Sequence, residues 1–490
     1  MQWLARACAC GIAVGLLVCA AVRAEAAASL IDAVKGGNRA GVRTLIQQKA
    51  NVNAAEADGT TALHWAVRAD DQEVARLLLR AGADARKANR YGITPLQLAA
   101  VNGSVTMAKA LLEAGADVNA VLPEGETVLM TAARTGQPDL LKVLIDCGAD
   151  LNARERWYGE TALIWAAAEN HAEAVRVLVE RGADVNLTSA PLTFPRRRNG
   201  QSVLSLGSWT PLMYAARENA LETGRALVAA KADLNVTDPD GATALVVAII
   251  NANYEFAAFL IDAGADPNVA DKDAGMGPLY AAVDMHRLAI GHGRPNPRTT
   301  GLLDSLDIVR RLLDHKADPN AALKAPIFQR HHTFGDGALG KGATPFMRAA
   351  KSGDVEVMTL LLAAGADPKA TLANHSSALM LAAGFGWRDG SPAAPSYDQG
   401  TPEDTVAAIT ALLGLGIDIN AANDNGDTAL HAAVTGRGAP EIVRFLVAHG
   451  ANLQAQNKRG QTPLAAAKAS RKDLSSLIAI LQEAVDARQP

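Results

Sequence analysis

Aromatic and basic side chains recur at two fixed positions along this chain of 490 residues. The positions lie four and seven residues after a threonine that itself recurs. The first position holds Trp65, Trp165, Tyr214 and Arg348, and the second holds Arg68, Arg134, Arg217 and Lys351. Aromatic residues and arginine are enriched at the energetic centres of protein interfaces. We therefore interpret these side chains as the candidate binding residues of the protein.

The same side chains also have a structural interpretation. Trp65, Trp165 and Tyr214 can pack against a neighbouring segment instead of facing a partner. A separate stretch adds one aromatic and three basic candidates: Phe194, Arg196, Arg197 and Arg198. These arginines suit an acidic partner segment, although a solvated hairpin tip explains such a charge run equally well. Sequence alone leaves both alternatives open.

Motifs of known catalytic chemistry are absent from the sequence. It contains no Gly-x-Ser-x-Gly elbow, no His-Glu-x-x-His pair, no paired metal-type cysteines and no dinucleotide fingerprint. Residues 335–341 match the start of a phosphate-binding loop, but Gly342 stands where Ser or Thr must bind magnesium. The adjacent His331 and His332 have no carboxylate or cysteine at a convincing ligand spacing. We predict no catalytic residue, no metal site and no cofactor.

The candidate residues belong to a sequence unit of about 33 residues, represented by Gly159–Asn186. Thr161 suits the N-cap of a helix, and in sister units proline follows at the first helical position. Apolar residues such as Leu163 and Leu178 then recur at helical spacing, and Gly182 suits a left-handed helix end. The pattern predicts two short helices followed by a tight turn.

Eleven copies of a Thr-Pro-Leu-x-x-Ala-Ala motif begin at residues 61, 94, 127, 161, 210, 243, 277, 344, 377, 428 and 462. This motif at this period resembles the ankyrin repeat, and the chain looks most like the long exported ankyrin proteins of bacteria. The resemblance implies an all-α repeat solenoid of about 12 helix-turn-helix units, each with a β-hairpin finger. It also implies a concave groove lined by the fingers and first helices, in which the recurrent positions lie.

The spacing of the motif predicts the domain organisation. We expect a signal peptide at 1–24, an N-terminal capping repeat at 25–58, the solenoid at 59–459 and a C-terminal capping repeat at 460–490. Irregular intervals place four insertions near residues 187–207, 286–304, 322–341 and 384–402. The first and third lengthen fingers, and the second and fourth separate the two helices of a unit.

Residues 1–24 have the features of a secretory signal, namely Arg6, an apolar run and small residues ending at Ala24. Cleavage after Ala26 suits the sequence nearly as well, and an uncleaved anchor is the alternative. Cleavage leaves Cys147 as the last of four cysteines, so no internal disulfide forms. We predict a monomeric, exported protein, periplasmic or secreted, without a membrane span after signal cleavage.

The formal net charge of −4 gives no sign of a nucleic-acid partner. We predict a non-catalytic scaffold that binds another protein through the groove and fingers. One alternative is a small-molecule or metal-binding protein or enzyme whose site is built by the four insertions. Its candidate residues are His286, His292, His331 and His332. Another alternative is a secreted effector that binds a host protein.

Overall fold

The structure is a computed structural model, and it describes residues 29–192, 206–287, 301–326, 338–386 and 400–488. Its contacts divide the chain into two compact units, Met1–Asp184 and Val185–Pro490. Within each unit the described residues fold mainly as short α-helices in pairs. The all-α repeat fold predicted from the motif is therefore confirmed.

In the described residues of the first compact unit the helices form five pairs. They are α1 (Leu30–Lys35) with α2 (Arg39–Gln47), α3 (Ala62–Arg68) with α4 (Gln72–Arg80), α5 (Pro95–Val101) with α6 (Val105–Glu113), α7 (Val128–Arg134) with α8 (Pro138–Asp146), and α9 (Ala162–Ala168) with α10 (Ala172–Glu180). First helices pack on first helices and second helices on second helices. Each pair thus buries its apolar face against its neighbours in the stack.

The second compact unit continues the pattern. Its helices are α11 (Pro211–Arg217), α12 (Leu221–Ala229), α13 (Ala244–Ile250), α14 (Tyr254–Asp262), α15 (Pro278–His286), α16 (Ser305–Asp314), α17 (Pro345–Lys351), α18 (Val355–Ala363), α19 (Ala378–Ala383), α20 (Pro402–Gly414), α21 (Ala429–Thr435), α22 (Pro440–Ala448), α23 (Pro463–Lys468) and α24 (Ser475–Asp486). Two short strands, β1 (Pro191–Leu192) and β2 (Leu206–Gly207), pair antiparallel. Such pairing is what a finger hairpin requires at its base.

The recurring threonine caps most of the first helices. Thr161 Oγ1 accepts a hydrogen bond from the backbone N–H of Ile164 at 3.3 Å, which satisfies an orphan donor. Ser377 caps α19 in the same way, whereas Gly277 leaves α15 without a side-chain cap. Leu163 follows the cap and is fully buried. Cap and core together fix which face of the first helix points away from the stack.

Many neighbouring repeats are joined through an asparagine that follows the second helix. Asn53 donates from Nδ2 to the Gly82 carbonyl at 3.0 Å and accepts from the Asp84 N–H at 2.7 Å. The same two-way bonding recurs at Asn119, Asn268, Asn320 and Asn420. We call this set the asparagine ladder. Fingers are also joined directly, because the Arg156 N–H donates to the Glu124 carbonyl at 2.7 Å.

Several predicted features lie outside the described residues. These are the signal peptide at 1–24, the finger residues Phe194, Arg196, Arg197 and Arg198, and the histidines His292, His331 and His332. The helices on either side of the second insertion end at His286 and begin at Ser305. Of the helices in the described ranges, none is both long and apolar enough to cross a membrane.

Candidate binding surface

Trp65 is the centre of a charged cluster at the start of the first compact unit. The Lys35 ammonium lies 4.4 Å from the ring centroid, and the Arg68 guanidinium lies 5.3 Å from it. The indole Nε1 donates to Glu56 Oε2 at 2.8 Å. Hydrogen bonds from Lys35 and from Trp65 lower the pKa of the Glu56 carboxyl, which keeps it ionised. The ring is half-buried and held in one orientation, while Arg68 is exposed.

A second cluster pairs residues from consecutive repeats. The Arg134 guanidinium, at the end of α7, lies 5.4 Å from the ring centroid of Trp165 in α9. Arg134 is exposed and also approaches Glu126, with 3.5 Å between Nη2 and Oε1. Trp165 is half-buried, and its buried Nε1 has no hydrogen-bond partner among the residues that the structure describes.

The second compact unit carries a third cluster of the same kind. Trp209 and Tyr214 meet edge to face, with ring centroids 5.5 Å apart. The Arg217 guanidinium lies 5.2 Å from the Tyr214 ring and 5.6 Å from the Trp209 ring. Glu218 accepts from Arg217 Nε at 2.6 Å. Tyr214 is half-buried, Arg217 is exposed and Trp209 is buried.

These three groups, centred on Trp65, Trp165 and Tyr214, are called the aromatic–arginine clusters below. In each of them the central ring is half-buried, so it packs on the stack and keeps part of its surface exposed. In each cluster an exposed guanidinium lies over the ring in the geometry of a cation–π contact.

Sequence reasoning missed several members of these clusters. Lys35 and Glu56 lie outside the recurrent positions, and Trp209 immediately precedes the cap Thr210. The only sequence signal for Trp209 is its closeness to Tyr214, five residues later. Lys35 ends α1, which the motif search describes only as part of a capping repeat.

Arg348 and Lys351 do not belong to an exposed groove, and the sequence interpretation needs correction there. Both residues are only 2% exposed. Arg348 Nε donates to Asp284 Oδ1 at 2.5 Å, so its charge is compensated inside the protein. The burial of Arg348 follows from the residue opposite it. That residue, Asp284, occupies the second recurrent position of its repeat, where an earlier repeat has Arg134. An acidic partner in this position draws the guanidinium inward.

Further ionic contacts surround that pair. His286 Nδ1 lies 2.5 Å from Oδ2 of the buried Asp354, and the hydrogen bond with Asp354 raises the pKa of His286. Asp354 also caps α18, because its Oδ1 accepts from the Val357 N–H at 3.2 Å. Arg287 Nη1 lies 3.2 Å from Asp404 Oδ2. We call Asp284, His286, Arg287, Arg348, Asp354 and Asp404 the buried ionic cluster.

The recurrent first position is also not a continuous stripe. Besides Arg348, it holds the buried residues Thr131, Val247, Ala281, Leu381 and Ala432. Exposed aromatic surface at this position is therefore confined to the aromatic–arginine clusters.

Histidines of the motif act structurally. His64 Nε2 lies 3.0 Å from the Ile93 carbonyl of the next repeat, and burial lowers the pKa of His64, which favours the neutral ring. His431 makes the equivalent contact with the Gln461 carbonyl at 3.0 Å. Cys147 is exposed. Within the described ranges, no group of three or more His, Cys, Asp or Glu could hold a metal ion.

Comparisons with known proteins agree with the helix pairs. The family model described as "Ankyrin repeats (3 copies)" matches residues 30–121, 120–189, 197–290 and 402–488, and the model "Ankyrin repeat" matches residues 341–371. The crystal structure of the human ASB11 ankyrin repeat domain is 26% identical over 45% of this chain and 90% of that chain, with a TM-score of 0.38. That score does not establish a common overall shape. The sequence matches, which together cover more than half of the chain, carry the comparison.

Proposed function

Because this chain belongs to the ankyrin repeat family, whose members generally act as protein-interaction scaffolds, we propose that it binds another protein and catalyses no reaction. The partner contacts the aromatic–arginine clusters. The predicted export signal extends this proposal to a periplasmic or secreted protein. Mass spectrometry of the mature N-terminus tests the export, since an intact residue 1 contradicts cleavage after Ala24 or Ala26.

The observation that carries the proposal is the arrangement of Trp165 and Arg134. The ring is anchored by the stack, and the exposed guanidinium covers it at 5.4 Å. A partner carboxylate can bind Arg134 while a neighbouring apolar group packs on the open part of the ring. This combination of a charge-assisted hydrogen bond and aromatic contact is typical of binding hot spots.

Affinity capture from the native cell-envelope fraction tests the proposal. The baits are the wild-type chain, Trp65→Ala/Trp165→Ala for the first compact unit, and Tyr214→Ala/Arg217→Ala for the second. The expected result is one protein that the wild type retains and at least one folded double variant loses. Retention of the same protein by all three baits contradicts these clusters as the binding surface. An Arg225→Ala bait is the matched control, because Arg225 contacts Phe259 on the second helices.

A second candidate function rests on the buried ionic cluster. His286 is oriented by a buried carboxylate, and the described residues include no partner for its Nε2. An imidazole held in this way can bind an anion or transfer a proton. Metal analysis and a small-anion thermal-shift screen on the purified chain distinguish this candidate. A stoichiometric metal, or a stabilising anion whose effect is lost in His286→Gln, favours it over the scaffold.

A further inference from the structure

A recess of about 380 Å³ lies between the last helix pairs of the second compact unit. Thr435 and Ala466 form part of its lining. They occupy the same two repeat positions as Arg134 and Trp165, but their side chains are far smaller. The recess exists because this pair of positions holds small residues.

One wall of the recess belongs to the finger between α22 and α23. The Lys458 N–H donates to the Asn425 carbonyl at 2.7 Å, and the Arg459 N–H donates to Asn457 Oδ1 at 3.0 Å. The backbone that carries these two cations is therefore fixed. Both residues are exposed, and neither side chain forms an ion pair with any residue that the structure describes.

The remaining polar lining leaves the recess with an excess of positive charge. Asp427 is the one acidic residue that lines it, and its Oδ1 already accepts from Asn457 Nδ2 at 3.0 Å. Thr435 is likewise engaged, since its Oγ1 donates to the His431 carbonyl at 2.9 Å. Lys458 and Arg459 are the two cationic residues of the lining, and their side chains are donors that favour an anion.

We propose that this recess binds a carboxylate side chain of the partner protein, with Lys458 and Arg459 as its ligands. The aliphatic stem of a glutamate packs on Ala466 and Ala469 while its oxygens reach the two cations. The inference rests on the proposed function in one respect, namely that the occupant belongs to a protein. The partner would then have an acidic segment, which binds at a site remote in sequence from the aromatic–arginine clusters.

The test uses a fluorescein-labelled hexaglutamate peptide and the mature full-length chain, with binding measured by fluorescence anisotropy. We expect saturable binding that is weakened about tenfold or more by Ala466→Trp, which fills the recess without changing the charge. Lys458→Gln/Arg459→Gln has a comparable effect, because it removes both cations. Arg76→Gln/Lys109→Gln, on the exposed faces of α4 and α6, removes the same two charges elsewhere and leaves the affinity unchanged. Tryptophan at residue 466 has a precedent in Trp165, and circular dichroism checks that the variant folds.

The inference is overturned if hexaglutamate does not bind the wild-type chain, or if the wild type and both recess variants bind it equally. Binding of hexaglutamine as tightly as hexaglutamate overturns it as well. Failure of the proposed function looks different. In that case the aromatic variants retain every captured protein, while the peptide still binds the wild type and not Ala466→Trp.

Discussion

Arg134 in the Trp165 cluster and Asp284 in the buried ionic cluster occupy the same place in their repeats. Each lies seven residues after a cap and contacts the residue four after the next cap, which is Trp165 in one case and Arg348 in the other. In the first pair the guanidinium is exposed and the ring is its support. In the second pair the guanidinium side chain is 3% exposed and the carboxylate is at the rim, 35% exposed.

Repeat geometry thus decides which side chains come into contact, whereas residue type decides whether the contact leaves hydrogen-bonding capacity unused. A cation over a ring leaves most of its hydrogen-bonding capacity to a partner molecule. A cation against a carboxylate satisfies that capacity within the fold, and it ties one repeat to the next. Two equivalent contacts can therefore serve binding and stability respectively.

The largest expected effect follows from breaking the buried pair. Arg348→Ala leaves Asp284 without its counterion and should lower the local free energy of unfolding by about 3 kcal/mol. The value is at the low end for buried pairs because the carboxylate is partly hydrated. Hydrogen exchange of α15 to α18 measures it, and Arg348→Met, which keeps much of the volume, separates packing from charge. A loss no larger than that of Arg134→Ala would contradict the comparison.

Removal of the ring from the exposed pair should cost less. Trp165→Ala deletes a half-buried side chain, so we expect a loss of about 2 kcal/mol in the local stability of α7 to α10. Hydrogen exchange of those helices reports it, with the second compact unit as the internal reference. An unchanged exchange pattern would mean that Trp165 does not support the stack.

The pH dependence of the buried ionic cluster gives an intermediate effect. Asp354 raises the pKa of His286 while Arg287 opposes it, so the folded state holds the proton more tightly than the unfolded state. The stabilisation is complete below the unfolded pKa of about 6.5 and is lost as the pH rises through the higher folded value. The difference in urea midpoint between wild type and His286→Gln should therefore shrink from pH 6 towards pH 9. His375→Gln is the control, because His375 pairs with Asp424 on the exposed surface at 2.7 Å. A constant difference across this range would exclude the linkage.

The smallest effect on stability is expected from Arg134→Ala. An exposed cation over a ring contributes only about 0.5 kcal/mol, so the fold should hardly change. The same substitution should nevertheless reduce retention of the captured partner. Thermal denaturation and affinity capture on one preparation check both statements. A large loss of stability would contradict this prediction and would show that Arg134, like Arg348, stabilises the fold.

The sequence predicts the positions of the repeats, the helix caps and which positions of neighbouring repeats meet, because these depend on residues close in the chain. It misassigned Arg348 because the burial of this cation depends on the charge opposite it, one repeat earlier. The contact with Asp284 does not explain the burial of Lys351. That signal was present: Asp284 stands in register with Arg134, and it precedes Arg348 as Arg134 precedes Trp165. Lys35 was missed for another reason, since a capping repeat without the motif offers no register to count from.

The asparagine ladder has a consequence for how such a chain can grow. Each asparagine of the ladder bonds to one backbone carbonyl and one backbone N–H just after the next second helix, as Asn53 does with Gly82 and Asp84. Asn268 makes the same two bonds to residues 48 and 50 places away, where the sequence carries an insertion. A repeat duplicated in frame would carry its own asparagine, together with the carbonyl and N–H groups to which the preceding asparagine bonds. The gene can therefore gain or lose whole repeats, or extend the segment between two of them, while the same pair of hydrogen bonds joins the neighbouring repeats.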